Sequence, residues 1–377
     1  MHALKKNQRV GKLAFIERIQ LLGLEVALHK SEAMCFHGLR NAPPSGSQIT
    51  VGGVTIGVER AMKYLGLVLD GRWSFVEHFR RLGPKLEKAG AAFKRLLPNL
   101  GGPNAPCRKL YAGVMRSMAL YGAPVWARSA RPRAVHYLNV PQRVIAIRLI
   151  RGYRTISREA AGLLAGLPPW DLEARVFLRL YDWREEAQRR GETPLPRQVV
   201  AQRAELRRDL MVAWRERLSQ PSAGHATIVA VSPLFEEWLG RSHGALTYRM
   251  TQVLTGHGCF GRYLHRIGRE EAPGCHHCAD SPEDTVDHTV QVCPAWEGHR
   301  RVLVEALGGG DLSRPALVQA MVRGEREWDA VASFCEAVML EKEEAERQRV
   351  RTSHPGRRAG PGRHHGRRVS RDDSRPP

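Results

Sequence analysis

Four residues stand at the spacing of a metal site: Cys275-x2-Cys278-x9-His288-x4-Cys293. A Cys-x2-Cys turn can present two thiolates to one tetrahedral ion, and a His and a Cys four residues apart can close the site from a following turn or helix. Three sulfurs and one imidazole suit Zn²⁺, which binds such donors at about 2.0–2.3 Å. All four positions are then filled by protein, which leaves no place for an activated water. The expected site is structural and holds a small fold that the sequence alone does not stabilise. His276, His277 and His299 compete as ligands, the first two from inside the Cys pair and His299 in place of His288. Asp284 and Asp287 flank the imidazole, either as acceptors for its N–H or as exposed surface acids.

The chain around this cluster has 377 residues, enough for two or three domains, and 42% of them are hydrophobic. Lys and Arg number 59 against 38 Asp and Glu, a net charge of +21. That excess favours a polyanionic partner, RNA or DNA before an anionic membrane surface. No apolar run approaches the ~20 residues of a membrane span, and residues 1–15 lack the apolar core of a secretory signal. Seven cysteines, four of them scattered singly, argue against a secreted disulfide framework and for a reducing compartment, nuclear or cytoplasmic. No phosphate loop, Gly-x-Ser-x-Gly or His-Glu-x-x-His motif marks a complete enzyme of another chemistry.

The elements that position the cluster are mostly helical. Residues 12–22 carry Phe15, Ile16, Ile19 and Leu22 at helical spacing before Gly23. Extended segments are expected over 24–28 and 33–37, flanking Lys30. A hairpin is expected over 48–51 and 54–57 across Gly52-Gly53, and a buried strand over 64–69. Asp70, before Gly71, reads as a turn former. Helices are expected from Ser74 onward, which makes a capping box with Glu77; Leu86, Phe93 and Leu97 share a face, and Pro84 is expected to break or kink that helix. A helix beginning at Pro106 presents Leu110, Val114, Met118 and Tyr121 on one face. Further helices are expected over 135–150, 170–190, 198–218, 234–238, 246–254 and 325–349, the last burying Trp328, Val331, Phe334, Val338 and Leu340. Trp126, Trp170, Trp183 and Trp214 read as core. Residues 191–196 and 221–224 are turns or linkers. Residues 351–377, with eight arginines against two aspartates, are expected to be disordered, as a nucleic-acid arm or a nuclear address.

Arg143, Arg148, Arg151 and Arg154 form either a ridge that contacts phosphates or a solvated helix face. The acids Glu270, Glu271, Asp280, Glu283, Asp284 and Asp287 disfavour nucleic acid at the cysteine cluster itself, leaving that contact to the arginine-rich helices. Two readings of the whole stay open: a nucleic-acid-binding protein with a zinc knuckle, and a zinc-dependent adaptor that contacts proteins only.

Six phrases give the first reading a family. They are Leu24-Glu-Val-Ala-Leu-His-Lys30-Ser-Glu-Ala-Met34, Lys63-Tyr-Leu-Gly-Leu-Val-Leu-Asp70, Tyr121-Gly-Ala-Pro-Val-Trp126, Gly152-Tyr-Arg-Thr-Ile-Ser157, Leu254-Thr-Gly-His-Gly-Cys-Phe260 with Tyr263-Leu264, and Asp284-Thr-Val-Asp-His288 before Cys293-Pro-Ala-Trp296. In this order they resemble the C-terminal part of the endonuclease–reverse transcriptase polyprotein of arthropod non-LTR retrotransposons, in the clade that inserts at ribosomal DNA and telomeric repeats. The resemblance runs from about residue 10 to about 350. It implies a partial palm and primer grip over 1–73. Lys30 matches a lysine near the leaving pyrophosphate, and Lys63 lies in the primer-gripping hairpin. It implies a thumb-like helical region and linker over 74–220, a helical C-terminal region with a CCHC knuckle over 221–350, and a basic tail beyond. The implied fold is mostly α with a small N-terminal α+β remnant. Polymerase chemistry in this family needs Mg²⁺ held by an aromatic-Ala-Asp-Asp strand and an earlier aspartate. The residues before Lys30 lack that strand, and the Asp372-Asp373 pair lies in the tail. The chain is therefore expected to be inactive alone, to bind RNA or DNA, and to work beside the remainder of the polyprotein.

Overall fold

The structure, a computed structural model, describes residues 18–38, 40–129 and 132–353. The chain forms two compact units, Met1–Thr251 and Gln252–Pro377. Most of the described residues are helical. Among them no helix is long and apolar enough to cross a membrane.

The first unit opens on two small sheets. Residues 18–21 are helical before Gly23; the remainder of the helix expected over 12–22 lies outside the described residues. Leu28–Lys30 forms a single 3-10 turn, so residue 28 is not extended. Strand β1 (Ala33–Met34) runs parallel to β3 (Val54–Glu59), which pairs antiparallel with β2 (Gln48–Val51). Val51 faces Val54 across Gly52-Gly53, as the glycine pair requires. The segment 64–69 is not one strand. It is part of a second hairpin, β4 (Ala61–Tyr64) against β5 (Leu67–Asp70). Leu65 and Gly66 both take positive φ and reverse the chain, and Tyr121 Oη donates to Leu65 O at 2.8 Å to hold the turn.

Asp70 organises the turn that leads into the first long helix. Its carboxylate accepts from Ser74 N at 3.1 Å and Phe75 N at 2.7 Å, and from the Ser74 hydroxyl. The expected Ser74–Glu77 capping box is therefore not made. Helix α1 (Val76–Leu96) starts behind the Asp70 turn, and Glu77 pairs with Arg80 and Arg81 at 2.7 and 2.6 Å. The helix runs unbroken through Pro84, between the fully buried Phe79 and Leu86.

Helix α2 (Ala105–Ala119) is capped by Asn104 and carries Pro106 at its start as expected, but it turns the other face inward. Arg108, Ala112, Met115 and Ala119 are buried, and Leu110, Val114, Met118 and Tyr121 are exposed. Small residues on the buried side let α2 approach α4 (Pro132–Leu149) closely. Arg108, 1% exposed, donates to Pro98 O, Pro103 O and Arg148 O, so its charge is seated on carbonyl dipoles. Helices α3 (Ala123–Trp126), α5 (Arg158–Ala165), α6 (Trp170–Arg189), α7 (Pro196–Leu218), α8 (His225–Val231) and α9 (Phe235–Gly240) complete the unit. Helix α10 (Tyr248–Thr255) crosses the unit boundary. One core joins Leu67 and Leu69 of β5 to Phe79, Met115, Trp126, Ile145 and Trp170. Trp214 is buried as well, and Trp183 is half-buried.

His78 in this core supplies a pH test. Its Nδ1 accepts from Val68 N at 3.3 Å, a role only an unprotonated nitrogen can fill. Burial, helped by the Lys85 charge, holds the imidazole below its ordinary value of 6.5. The unfolded chain then takes up a proton that the folded chain refuses, so stability is full above 6.5 and falls as pH drops below it. The denaturation midpoint of the chain should decline between neutral pH and about pH 5, and less so in His78→Asn, whose side-chain oxygen can accept the same bond. Equal slopes in the two proteins would remove His78 from the account.

In the second unit, helices α11 (Gly261–Arg266), α12 (Glu297–Leu307), α13 (Arg314–Arg323) and α14 (Glu325–Ser353) surround a looped segment. Helix α14 packs on α12 and α13 and buries Trp328, Val331, Phe334 and Val338. Leu340 is exposed and Met339 takes the inward place, because 340 lies two residues on from 338 and so on the opposite face. Helix α14 continues to Ser353, into the stretch expected to be tail. Residues 354–377, including Asp372-Asp373, lie outside the described residues, as does the segment 1–15.

Candidate metal centre

The looped segment starts as a tight reversal. Gly274 bridges Glu283, and Cys275 N donates to Pro282 O at 2.7 Å. Gly261 must be glycine for this packing, since a Cβ there would sit 2.7 Å from the carbonyl oxygens of Pro273 and Gly274. The chain then crosses to His288–Val292, a π-helical turn in which Cys293 N donates to His288 O at 2.8 Å. The turn has a geometric purpose. Five steps along an α-helix would leave residues 288 and 293 about 140° apart. The wider i→i+5 turn brings them towards one side. Arg300 of α12 clamps it by donating to Val290 O at 2.9 Å and Cys293 O at 2.6 Å.

The ligand atoms of Cys275, Cys278, His288 and Cys293 all lie within 4.8 Å of one another. Sγ of Cys293 is 4.0 Å from that of Cys275 and 3.5 Å from that of Cys278, and Cys278 Sγ is 3.4 Å from His288 Nε2. A tetrahedral ion with metal–sulfur bonds near 2.3 Å has ligand–ligand edges of about 3.8 Å, so the cluster is already near the size such an ion demands. This cluster could hold a metal ion. Burial pushes the thiols of Cys275 and Cys278 up, so a bound cation would displace their protons. Burial also holds His288 below its ordinary range, which keeps the imidazole neutral and able to ligate.

The competing histidines lie elsewhere. His276 is 3.4 Å from Glu270, His299 is 3.3 Å from Glu341, and the His277 ring packs on Trp296. Asp284 faces inward, away from the role of imidazole acceptor. It is 4% exposed and receives Lys342 Nζ at 2.8 Å on both oxygens, Gly261 N at 2.9 Å and Thr289 Oγ1 at 2.9 Å. Asp287 is exposed beside Arg314. Lys342 also approaches Thr289 Oγ1 and the Phe260 ring. Glu346, one turn on, accepts from Cys259 Sγ at 2.9 Å and pairs with Arg269 at 3.1 Å. The last helix thus fastens the segment with charges that no local motif announces, and sequence reading missed them.

In the first unit, Lys30 ends the 3-10 turn and Lys63 sits on β4, both exposed. Arg143 donates to Ile156 O at 2.9 Å and to Arg154 O. Arg148 donates to Asn99 Oδ1 at 3.0 Å, and Arg151 donates to Gly101 O at 2.6 Å and Pro103 O at 3.1 Å. Arg154 is exposed. The structure brings Arg148 and Arg151 together with Arg108 around the loop 98–103, where guanidinium N–H groups serve main-chain oxygens.

No family model matches the chain, and no solved structure matches it. It is 28% identical over 273 residues to a Retrovirus-related Pol polyprotein from type-1 retrotransposable element R1 4 of Nasonia vitripennis, a match that takes in 70% of this chain and 68% of that protein. It is 30% identical over 282 residues to the corresponding R1 Pol polyprotein of Bradysia coprophila, across 70% of this chain and 26% of the relative. It is 26% identical over 313 residues to the putative 115 kDa protein in type-1 retrotransposable element R1DM of Drosophila melanogaster, across 81% and 30%. The chain spans about two thirds of the first relative and less than a third of each of the other two. The homologues of this chain are therefore Pol polyproteins of arthropod R1 non-LTR retrotransposable elements, and its length and similarity fit a portion of such a polyprotein.

Proposed function

We propose that this chain is the C-terminal, nucleic-acid-binding portion of a non-LTR retrotransposon reverse transcriptase, carrying a structural zinc knuckle. On this reading residues 1–73 are a partial palm and primer grip, 74–220 a thumb-like and linker region, 221–350 a region built on the knuckle, and 351–377 a basic tail. Zn²⁺ is held by Cys275, Cys278, His288 and Cys293, with no open position for catalysis. Mg²⁺ belongs to the complete enzyme. Nucleic acid meets Lys30, Lys63, Arg154 and whatever charge Arg143, Arg148 and Arg151 still present to solvent, in an intracellular setting beside the remainder of the polyprotein.

The observation that carries the reading is the charge of +21 in a chain whose relatives are Pol polyproteins. The adaptor reading rests on the acids around the knuckle. The structure weakens it, because Asp284 is neutralised by Lys342, Glu270 by Arg349 at 3.3 Å, and Glu283 sits 3.4 Å from Arg262. Salt titration separates the two. Binding of a labelled oligonucleotide should fall with a log–log slope of about −4 or steeper, the mark of several displaced counterions. A flat response, or no binding, would favour the adaptor.

A further inference from the structure

The apolar stripe that α2 leaves in water is flanked by cations. Leu110 is 67% exposed and Tyr121 56%, and Val114 and Met118 between them are exposed too. From Leu110 to Tyr121 the stripe is about 16 Å long at 1.5 Å per residue. The Tyr121 hydroxyl on Leu65 O ties it to the tip of the β4–β5 hairpin, where Tyr64 and Leu65 are also exposed. A contiguous run of large apolar side chains on a surface marks a contact site.

Beside the stripe lies α1, antiparallel to α2: the Phe93 and Tyr111 rings are 4.7 Å apart, and a Cβ at Gly90 would lie 3.8 Å from Met115. Helix α4 covers one flank of α1, with Tyr137 against Gly83 and Val144 against Gly90. The other flank presents Lys85, Ala89, Ala92 and the exposed Leu96 at helical spacing. Lys88 and Arg95 lie one row further out, and Lys109 lies beyond the stripe on α2, all exposed. Among the described residues, Lys85, Lys88, Arg95 and Lys109 have no ion-pair partner. Helix α2 contains no acid, and neither does the whole stretch 88–158, 71 residues with fourteen Lys and Arg. An apolar strip between unpaired cations calls for an occupant that is apolar on one face and acidic at its edges. Leu96, Leu110, Val114 and Met118 offer no ring for a base to stack on, so nucleic acid would leave the strip idle. Residues 1–17 and 351–377 have a basic excess, as does a second copy of the chain, so like charge opposes both as occupants. We propose that the seam between α1 and α2 docks an amphipathic helix of about three turns from an acidic partner polypeptide. Its apolar face lies on Leu110, Val114 and Met118, and its acids meet Lys85, Lys88 and Lys109.

Two fluorescein-labelled peptides of about five helical turns test it. Both are built from the same numbers of Leu, Glu and Ala. In one the leucines recur every three or four residues on a single face; in the other they are scattered around the helix. Each is titrated with the full, zinc-loaded chain and read by anisotropy. The amphipathic peptide should bind about tenfold or more tightly than its scattered isomer. Leu110→Ala with Val114→Ala trims the strip while alanine keeps the helix. That double variant should weaken the amphipathic peptide by about tenfold or more, with unchanged melting. Lys85→Glu with Lys88→Glu should weaken it as much, through charge. No binding, equal binding of the two isomers, or indifference to either double variant would overturn the proposal. So would a labelled single-stranded oligonucleotide that loses affinity in the Leu110–Val114 variant, which would give the strip to nucleic acid. A dimer of the free chain that dissociates in the same variant would give the strip to a second copy and overturn it equally.

Discussion

Cys278→Ser is expected to empty the metal centre. A structural site gains its strength from four protein ligands closing on one ion, with apparent binding free energies of about 10–16 kcal/mol in isolated zinc modules. Serine at 278 leaves three ligands and a gap on the half-exposed side of the cluster. Zinc content by mass spectrometry after dialysis should fall from one equivalent per chain to near zero. Amides of residues 275–293 should lose hydrogen-exchange protection, because this segment has turns and a single bridge in place of a sheet to hold it. Cys107→Ser, half-buried in the other unit, should keep its metal. Full zinc occupancy in Cys278→Ser would refute the assignment.

Lys342→Met carries the second large effect. Lys342 and Asp284 have side-chain exposures of only 2% and 5%, and the ammonium touches both carboxylate oxygens at 2.8 Å. Removing one member of such a pair leaves the other charged and dry, at a cost of about 3–5 kcal/mol. Asp284 also orients Gly261 N and Thr289 Oγ1, so the loss should spread from α14 to the π turn. Urea unfolding of the zinc-loaded chain measures it. A cost under about 1 kcal/mol would show a pair as weak as those on the surface. The double variant Lys342→Met with Asp284→Leu should lose less than the two single costs combined, since it leaves no orphaned charge.

What could be read from residues alone was whatever is local. The cysteine spacing, the Gly52-Gly53 hairpin, the helix start at Pro106 and the periodicity of α6, α7 and α14 all depend on neighbours within a few positions. The misreadings have one cause, a partner beyond the reach of a local pattern. On α2 the stripe Leu110–Val114–Met118 is as periodic as the stripe Arg108–Ala112–Met115, and the more apolar of the two faces water. What decided it was the room that alanine gives a neighbouring helix and the carbonyls of Pro98 and Arg148, which attract a buried arginine. The Ser74–Glu77 signature was likewise pre-empted by Asp70, a strand residue. In the metal centre the ligand set was legible. The Asp284–Lys342 tie was not, because 58 residues separate its ends.

The π turn acts as a ruler. His288 and Cys293 are set by one main-chain hydrogen bond that counts five residues, so a single insertion or deletion between them would rotate one ligand out of reach. Across the cluster, the bend from Ala279 to Ser281 lies inside the Cys275–Pro282 hydrogen bond and can grow outwards without moving the Cys275–Cys278 pair. Length drift among descendants of this sequence should therefore gather on the N-terminal side of His288 and be purged on the other.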